Sequence, residues 1–269
     1  MFTKNIVLFG QTGAGKSSVV NLMAGEEMAT TSGDSFRCTL HWTEYPIAFD
    51  GYGYKVFDTV GLEEPSLGIE EYLDAILNAR SLIKKLEREG GIDLLLFCVR
   101  AGRFTSTIRN NYRLFYEWLC EKKFPIVLVI TGLEREMNME DWWDRHGESF
   151  EKSKIFVNGH ACITAASNMD GRHQELYQKS RRVVRDLVRE HTHMQGAWKG
   201  YERSKEGDVL NGGEKWFGRF RRQLSELLQS DHAQKKVIVA ILIKRGVPRE
   251  EAQQLASQIV QDLADRKAI

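Results

Sequence analysis

The stretch Asn5-Ile6-Val7-Leu8-Phe9-Gly10-Gln11-Thr12-Gly13-Ala14-Gly15-Lys16-Ser17-Ser18 decides the fold. An apolar run reads as a buried strand, a glycine-punctuated loop follows, and Lys16–Ala24 then carries a helical pattern without glycine or proline. The glycines let the backbone wrap so tightly that successive N–H groups turn inward and form a concave anion cradle. A helix that starts at Lys16 adds the positive end of its dipole to the same spot. Strand, cradle and helix in this order predict an α/β domain built around a phosphate-binding turn.

Gly10 to Ser17 satisfies the P-loop pattern in full. Lys16 is expected to reach the β- and γ-phosphates of a nucleotide, and the Ser17 hydroxyl to ligate Mg²⁺. Gly10, Gln11, Thr12, Gly13, Ala14, Gly15 and Ser18 complete the cradle. Asp58-Thr59-Val60-Gly61 closes a later strand. There Asp58 would hold the metal through water, and the Gly61 N–H would sense the terminal phosphate.

Outward from the loop, strand-like segments recur at Leu40–Phe49, Tyr54–Asp58, Asp93–Val99, Ile126–Thr131 and Ala161–Thr164. Helix-like stretches lie between them: Ile69–Glu89, Thr107–Lys122, Glu140–Glu151 and Gln174–Glu190. Alternation of this kind predicts a mostly parallel six-stranded sheet, covered on both faces as a three-layer α/β sandwich. Asp50-Gly51-Tyr52-Gly53 is a hairpin signal, so one strand is expected to be antiparallel. Residues 1–190 make the nucleotide-binding domain on this reading, and 191–269 a linker followed by an α-helical extension. The linker, His191–Gly213, has no clear period, and helices are expected over Glu214–Gln229, His232–Arg245 and Arg249–Lys267.

Composition narrows the function classes. The 269 residues are 42% hydrophobic and 28% charged, with four prolines, which is ordinary globular composition. Lys and Arg number 38 against 37 Asp and Glu, so no general nucleic-acid-binding surface is indicated. The apolar run Val237–Ile243 is far shorter than the roughly 20 residues a bilayer span needs. The N-terminus lacks the layout of a secretory signal, and Phe2 stands where myristoylation needs glycine. Cys38, Cys98, Cys120 and Cys162 show no metal-like pairing, which argues against zinc and for reduced thiols in a cytoplasmic protein.

The P-loop, the Asp58–Gly61 box and the strand order resemble GTPases of the translation-factor class. Within that class, Gly10–Ser18 and the Gly102-Arg103-Phe104-Thr105 box after the fourth strand resemble the septin-related immune-associated (GIMAP-like) group, which also includes the Toc chloroplast import receptors. The likeness covers roughly residues 4–190. It implies GTP as substrate, GDP as product and Mg²⁺ as cofactor. It favours Thr39 over Thr30 and Thr31 as the switch hydroxyl on the metal. It also implies a nucleotide-dependent homodimer in which Arg103 reaches the partner's site as a catalytic group, beside Lys16 and Gly61. The plain alternative for Arg103 is a surface charge paired with a nearby carboxylate.

Base selection departs from the usual pattern. Such enzymes end the fifth strand with Asn/Thr-Lys-x-Asp, whereas this chain has Thr131-Gly132-Leu133-Glu134. The lysine is missing, but Glu134 can still accept two hydrogen bonds from guanine N–H groups. Ala166 and Ser167, after the last strand, are expected to back the base with main-chain N–H groups. Leu62 stands where a water-orienting glutamine is common, which implies slow hydrolysis or help from another group. Three functions stay open on these residues: a GTPase, an ATPase or other nucleotide phosphohydrolase, or a weakly hydrolysing scaffold whose assembly nucleotide controls. In Glu214–Gln229, aromatics and arginines interleave; this suits docking on the protein's own domain better than a membrane surface.

Overall fold

The computed structural model describes residues 3–29, 42–59, 69–166 and 171–193, together with 239, 243, 249, 250, 252 and 253. Six strands form one sheet: β1 (Thr3–Phe9), β2 (Thr43–Phe49), β3 (Tyr52–Asp58), β4 (Leu94–Arg100), β5 (Ile126–Thr131) and β6 (Gly159–Cys162). Their order is β2-β3-β1-β4-β5-β6, and every pair is parallel except β2 with β3. This is the expected three-layer α/β sandwich.

Burial follows the topology. Ile6–Phe9, Leu94–Val99 and all of β5 are buried, because strands in the middle of a parallel sheet carry helices on both faces. On one face α1 (Lys16–Ala24) and α5 (Gly171–His193) bring Val19, Val20, Met23, Val184 and Val188 onto Ile6, Leu8, Leu96 and Val129. On the other face Phe9 stacks between Phe97 and Phe115, with ring centroids 4.8 and 4.3 Å apart. The edge strand β2 buries only Ile47 and Phe49 and tolerates Pro46, which a central strand would not.

Three elements differ from the sequence reading. The hairpin turn is only Asp50-Gly51, at φ 52° and 82°, the pair of left-handed residues that a two-residue turn needs to match strand twist. The single helix expected over Thr107–Lys122 is instead α3 (Ser106–Tyr112) continued by a π-helical segment, Arg113–Leu119. Phe115 lies flat on Phe9 while Tyr112 packs against Phe97. Glu121 and Lys122, at φ 51° and 57°, then reverse the chain before the expected end. Finally, β6 lies two residues earlier than Ala161–Thr164. Its register pairs Val127 with Gly159, and a Cβ at Gly159 would lie a tight 3.0 Å from the His191 ring, so the bare glycine eases the close approach of α5.

The remaining helices are α2 (Ile69–Arg88) and α4 (Asp141–Lys152). The chain divides into two compact units, Met1–Ser66 with Ala75–Tyr201, and Leu67–Asp74 with Glu202–Ile269. The helix expected over Glu214–Gln229 lies outside the described residues. Of the last two expected helices, Val239, Ile243, Arg249, Glu250, Ala252 and Gln253 are described, and all are helical. No helix among the described residues is long and apolar enough to cross a membrane.

Candidate functional site

The parallel strands place the loops after β1, β3, β4 and β5 at one edge of the sheet, the edge where such folds bind ligands. The loop after β1 is the predicted cradle. Gly10, at φ 149°, lies so near β4 that a Cβ would sit 2.2 Å from the Cys98 carbonyl oxygen. Gly13 and Gly15, at φ 74° and 82°, supply the left-handed turns that end in the first residue of α1. Ala14 N–H donates to the Gln11 carbonyl at 3.1 Å and closes the loop. Gln11 and Ser18 are half-buried, while Thr12 and Gly13 face solvent.

Lys16 is buried, with 8% of its surface exposed, and its ammonium donates to the Gly10 and Gln11 carbonyls at 3.2 and 3.1 Å. It is thus held over the cradle by backbone of the cradle itself. Ser17 Oγ donates to Asp58 Oδ2 at 2.7 Å. This contact joins the two sequence boxes across 41 residues. The second oxygen of Asp58, Oδ1, is buried and has no hydrogen-bond partner. Burial pushes the Asp58 carboxyl above the usual carboxylate range, against the opposing pull of the Lys16 cation and the Ser17 hydroxyl. A buried carboxylate with a free oxygen beside a serine hydroxyl is a donor set suited to a hard cation such as Mg²⁺. Thr59 fixes this end of β3 by donating its hydroxyl to the Leu8 carbonyl at 2.7 Å. Gly61 and Thr39 lie outside the described residues.

At the end of β5, Thr131 is buried, and its hydroxyl donates to the Ala14 carbonyl at 2.9 Å. A Cβ on Gly15 would also meet the Thr131 side chain at 3.2 Å. Thr131 therefore braces the cradle, a role not visible from its place in the base-reading motif. Gly132 turns the chain at φ 82°, Leu133 is buried, and Glu134 follows, half-exposed and without a hydrogen bond or ion pair to any described residue. Ala166 is half-buried at the end of the loop after β6, and Ser167 lies outside the described residues.

The Gly102–Thr105 box divides its labour. The Phe104 ring packs edge-on against Phe150 at 5.2 Å, and the Thr105 hydroxyl accepts from the Ile108 N–H at 3.3 Å to cap α3. Between these anchors and Gly102, Arg103 is exposed and pairs with no described carboxylate.

Cradle, buried lysine and the Ser17–Asp58 pair at one edge of this sheet make up the nucleotide-binding side of a P-loop G-domain fold. Comparison with known proteins agrees: residues 5–132 match the 50S ribosome-binding GTPase family model. The immune-associated nucleotide-binding protein 7 of Arabidopsis thaliana is 29% identical over 201 residues, 69% of this chain and 61% of that protein. The tRNA modification GTPase MnmE of Treponema denticola is 29% identical over 126 residues, 47% of this chain and 25% of that one. The chain thus spans under two thirds of the length of these relatives. Among solved structures, Toc33 from Arabidopsis thaliana superposes with a TM-score of 0.52 at 16% identity, covering 72% of this chain and 86% of Toc33. Era superposes at 0.53 and 14% identity, covering 86% of this chain and 69% of Era.

Proposed function

We propose that this protein is a cytoplasmic, Mg²⁺-dependent guanine-nucleotide-binding protein that hydrolyses GTP and dimerises in its GTP state. The observation that carries the reading is the 2.7 Å contact of Ser17 with Asp58, beside the unsatisfied Asp58 Oδ1 and under the Lys16 ammonium. Lys16 would exchange its two carbonyl partners for phosphate oxygens, while Ser17 and Asp58 would turn to the metal. Bound there, Mg²⁺ would neutralise charge on the β- and γ-phosphates. Era, which shares the fold, has been solved in complex with MgGDPNP, and this supports the reading. Measuring GDP and GTP affinity with Mg²⁺ and with a chelator, alongside GTP and ATP turnover, tests the reading. Binding that ignores Mg²⁺, or faster turnover of ATP than of GTP, overturns it.

Glu134 would select guanine, because its carboxylate matches the N1–H and exocyclic amine, a donor pair that adenine lacks at those positions. Glu134→Ala is expected to cost about 2–4 kcal/mol in GDP and GTP binding, and far less for ATP. Equal weakening of both bases in parallel titrations removes Glu134 from base selection.

Arg103 supports the dimer. For the chloroplast translocon components atToc33 and psToc159, dimerisation is important for GTPase activity. Leu62 cannot orient water, so fast turnover here needs an added group, and the unpaired Arg103 is mounted at the right edge of the sheet. Specific activity should then rise with protein concentration. Arg103→Ala should lower kcat about tenfold or more with affinity nearly intact, and an active-site-dead chain retaining Arg103 should restore part of the rate. A concentration-independent rate that Arg103→Ala leaves unchanged would favour the weakly hydrolysing scaffold, with Arg103 a surface charge.

A further inference from the structure

Arg100 is the last residue of β4, and in the sheet β4 lies between β1, which leads into the phosphate cradle, and β5, which leads to Glu134. Its register partner on β5 is Thr131, the residue that braces the cradle. Any nucleotide with its phosphates in the first loop and its base edge at Glu134 must therefore cross the end of β4.

The side chain of Arg100 occupies that crossing. A Cβ built on Gly132 would lie 3.4 Å from Arg100 Cγ and 3.7 Å from Nε, so the arginine stem runs alongside the bare glycine backbone. Gly132 sits at φ 82°, where an L side chain is strained, so position 132 cannot readily supply a side chain of its own. The Arg100 side chain is exposed, and no hydrogen bond or ion pair ties its guanidinium to a described residue. A planar, weakly hydrated cation on an apolar stem, unpaired and at the ligand-binding edge, is suited to lie flat on an aromatic ring.

We propose that Arg100 is a purine-binding residue, its stem and guanidinium stacking on the face of the base whose edge Glu134 reads. The cation absent from position 132 is thereby delivered from the neighbouring strand. Stacking is blind to the hydrogen-bonding edge, so Arg100 contributes affinity for either purine and Glu134 contributes the choice between them. The proposal rests on the nucleotide site described above.

Isothermal titration of the full chain with GDP, ADP and inorganic pyrophosphate tests it, with Arg100→Ala, Arg100→Lys and Lys16→Ala. Arg100→Ala is expected to weaken GDP about 3- to 30-fold and ADP by a similar factor, with pyrophosphate affinity and the thermal midpoint of the nucleotide-free protein unchanged. Arg100→Lys, which keeps a stem and a charge, should recover part of the loss. Equal weakening of GDP and pyrophosphate would place the guanidinium on the phosphates and overturn the base assignment. Unchanged GDP binding in Arg100→Ala, with binding lost in Lys16→Ala, overturns the role of Arg100 while the nucleotide site stands. Unchanged binding in Lys16→Ala as well would remove both.

Discussion

Lys16→Ala is expected to lower GDP and GTP affinity by about 100-fold or more, because it deletes the buried cation poised over the cradle. The ammonium lies within hydrogen-bond reach of the Gly10 and Gln11 carbonyls. Phosphate oxygens are stronger acceptors than these carbonyls, since a charge-assisted bond has roughly twice the strength of a neutral one. The alanine variant keeps the cradle itself, which is shaped by Gly13, Gly15 and the Thr131 hydroxyl on Ala14 and does not depend on the lysine. Its circular dichroism and thermal midpoint should accordingly stay close to the parent's while fluorescent-nucleotide titration shows the loss. Parent-like affinity in a folded Lys16→Ala protein contradicts the phosphate-binding role of the loop.

Asp58→Asn should have two effects of opposite sign. Without nucleotide the carboxylate is buried, has one unsatisfied oxygen, and carries a pKa raised by desolvation. Because its folded value exceeds its unfolded value, the native state holds the proton more firmly. Stability therefore falls as pH rises from the ordinary carboxylate value through the raised one, and the cost persists above it. Asparagine removes that cost, so the nucleotide-free variant should melt higher at neutral pH, by about 2–4 °C for each kcal/mol relieved. With nucleotide, the tightening that Mg²⁺ gives should shrink about 10- to 100-fold, the usual loss when a partner that orients metal-bound water is removed. Protonation removes the carboxylate charge that holds metal-bound water, so Mg²⁺-dependent affinity in the parent should also weaken as pH drops towards the raised value. Calorimetry with and without Mg²⁺ across mildly acidic pH reads both effects. A variant that melts lower and keeps its full Mg²⁺ dependence removes Asp58 from the metal site.

The sheet brings Lys16 and Asp58 within electrostatic reach of one another. Thr59 ties the end of β3 to Leu8 of β1, so Asp58 and the cradle share one scaffold. A shift of either strand by one residue would turn Asp58 to the other face of the sheet and separate it from Ser17.

Much of this was legible in the linear sequence, because some features depend on local chemistry alone. Gly10–Ser17 specifies its own turn, since only glycine adopts the required backbone angles without strain, and the bounds of α1 follow from the residues on either side. The central strands β1, β4 and β5 are apolar enough to announce burial on both faces, and Asp50-Gly51 announces the hairpin. Other features exist only between segments distant in sequence. The π-helical segment carries Phe115 onto Phe9 of β1 while Tyr112 before it meets Phe97 of β4, contacts that the local sequence does not announce. The place of β6 is set by its register with β5 and by the approach of α5 to Gly159. Thr131 becomes a brace, and Arg100 a candidate for the base, because three parallel strands bring their ends to one edge. A motif records which groups a chain owns locally; which of them face one another is a property of the sheet, where side chains more than a hundred residues apart come within hydrogen-bond distance.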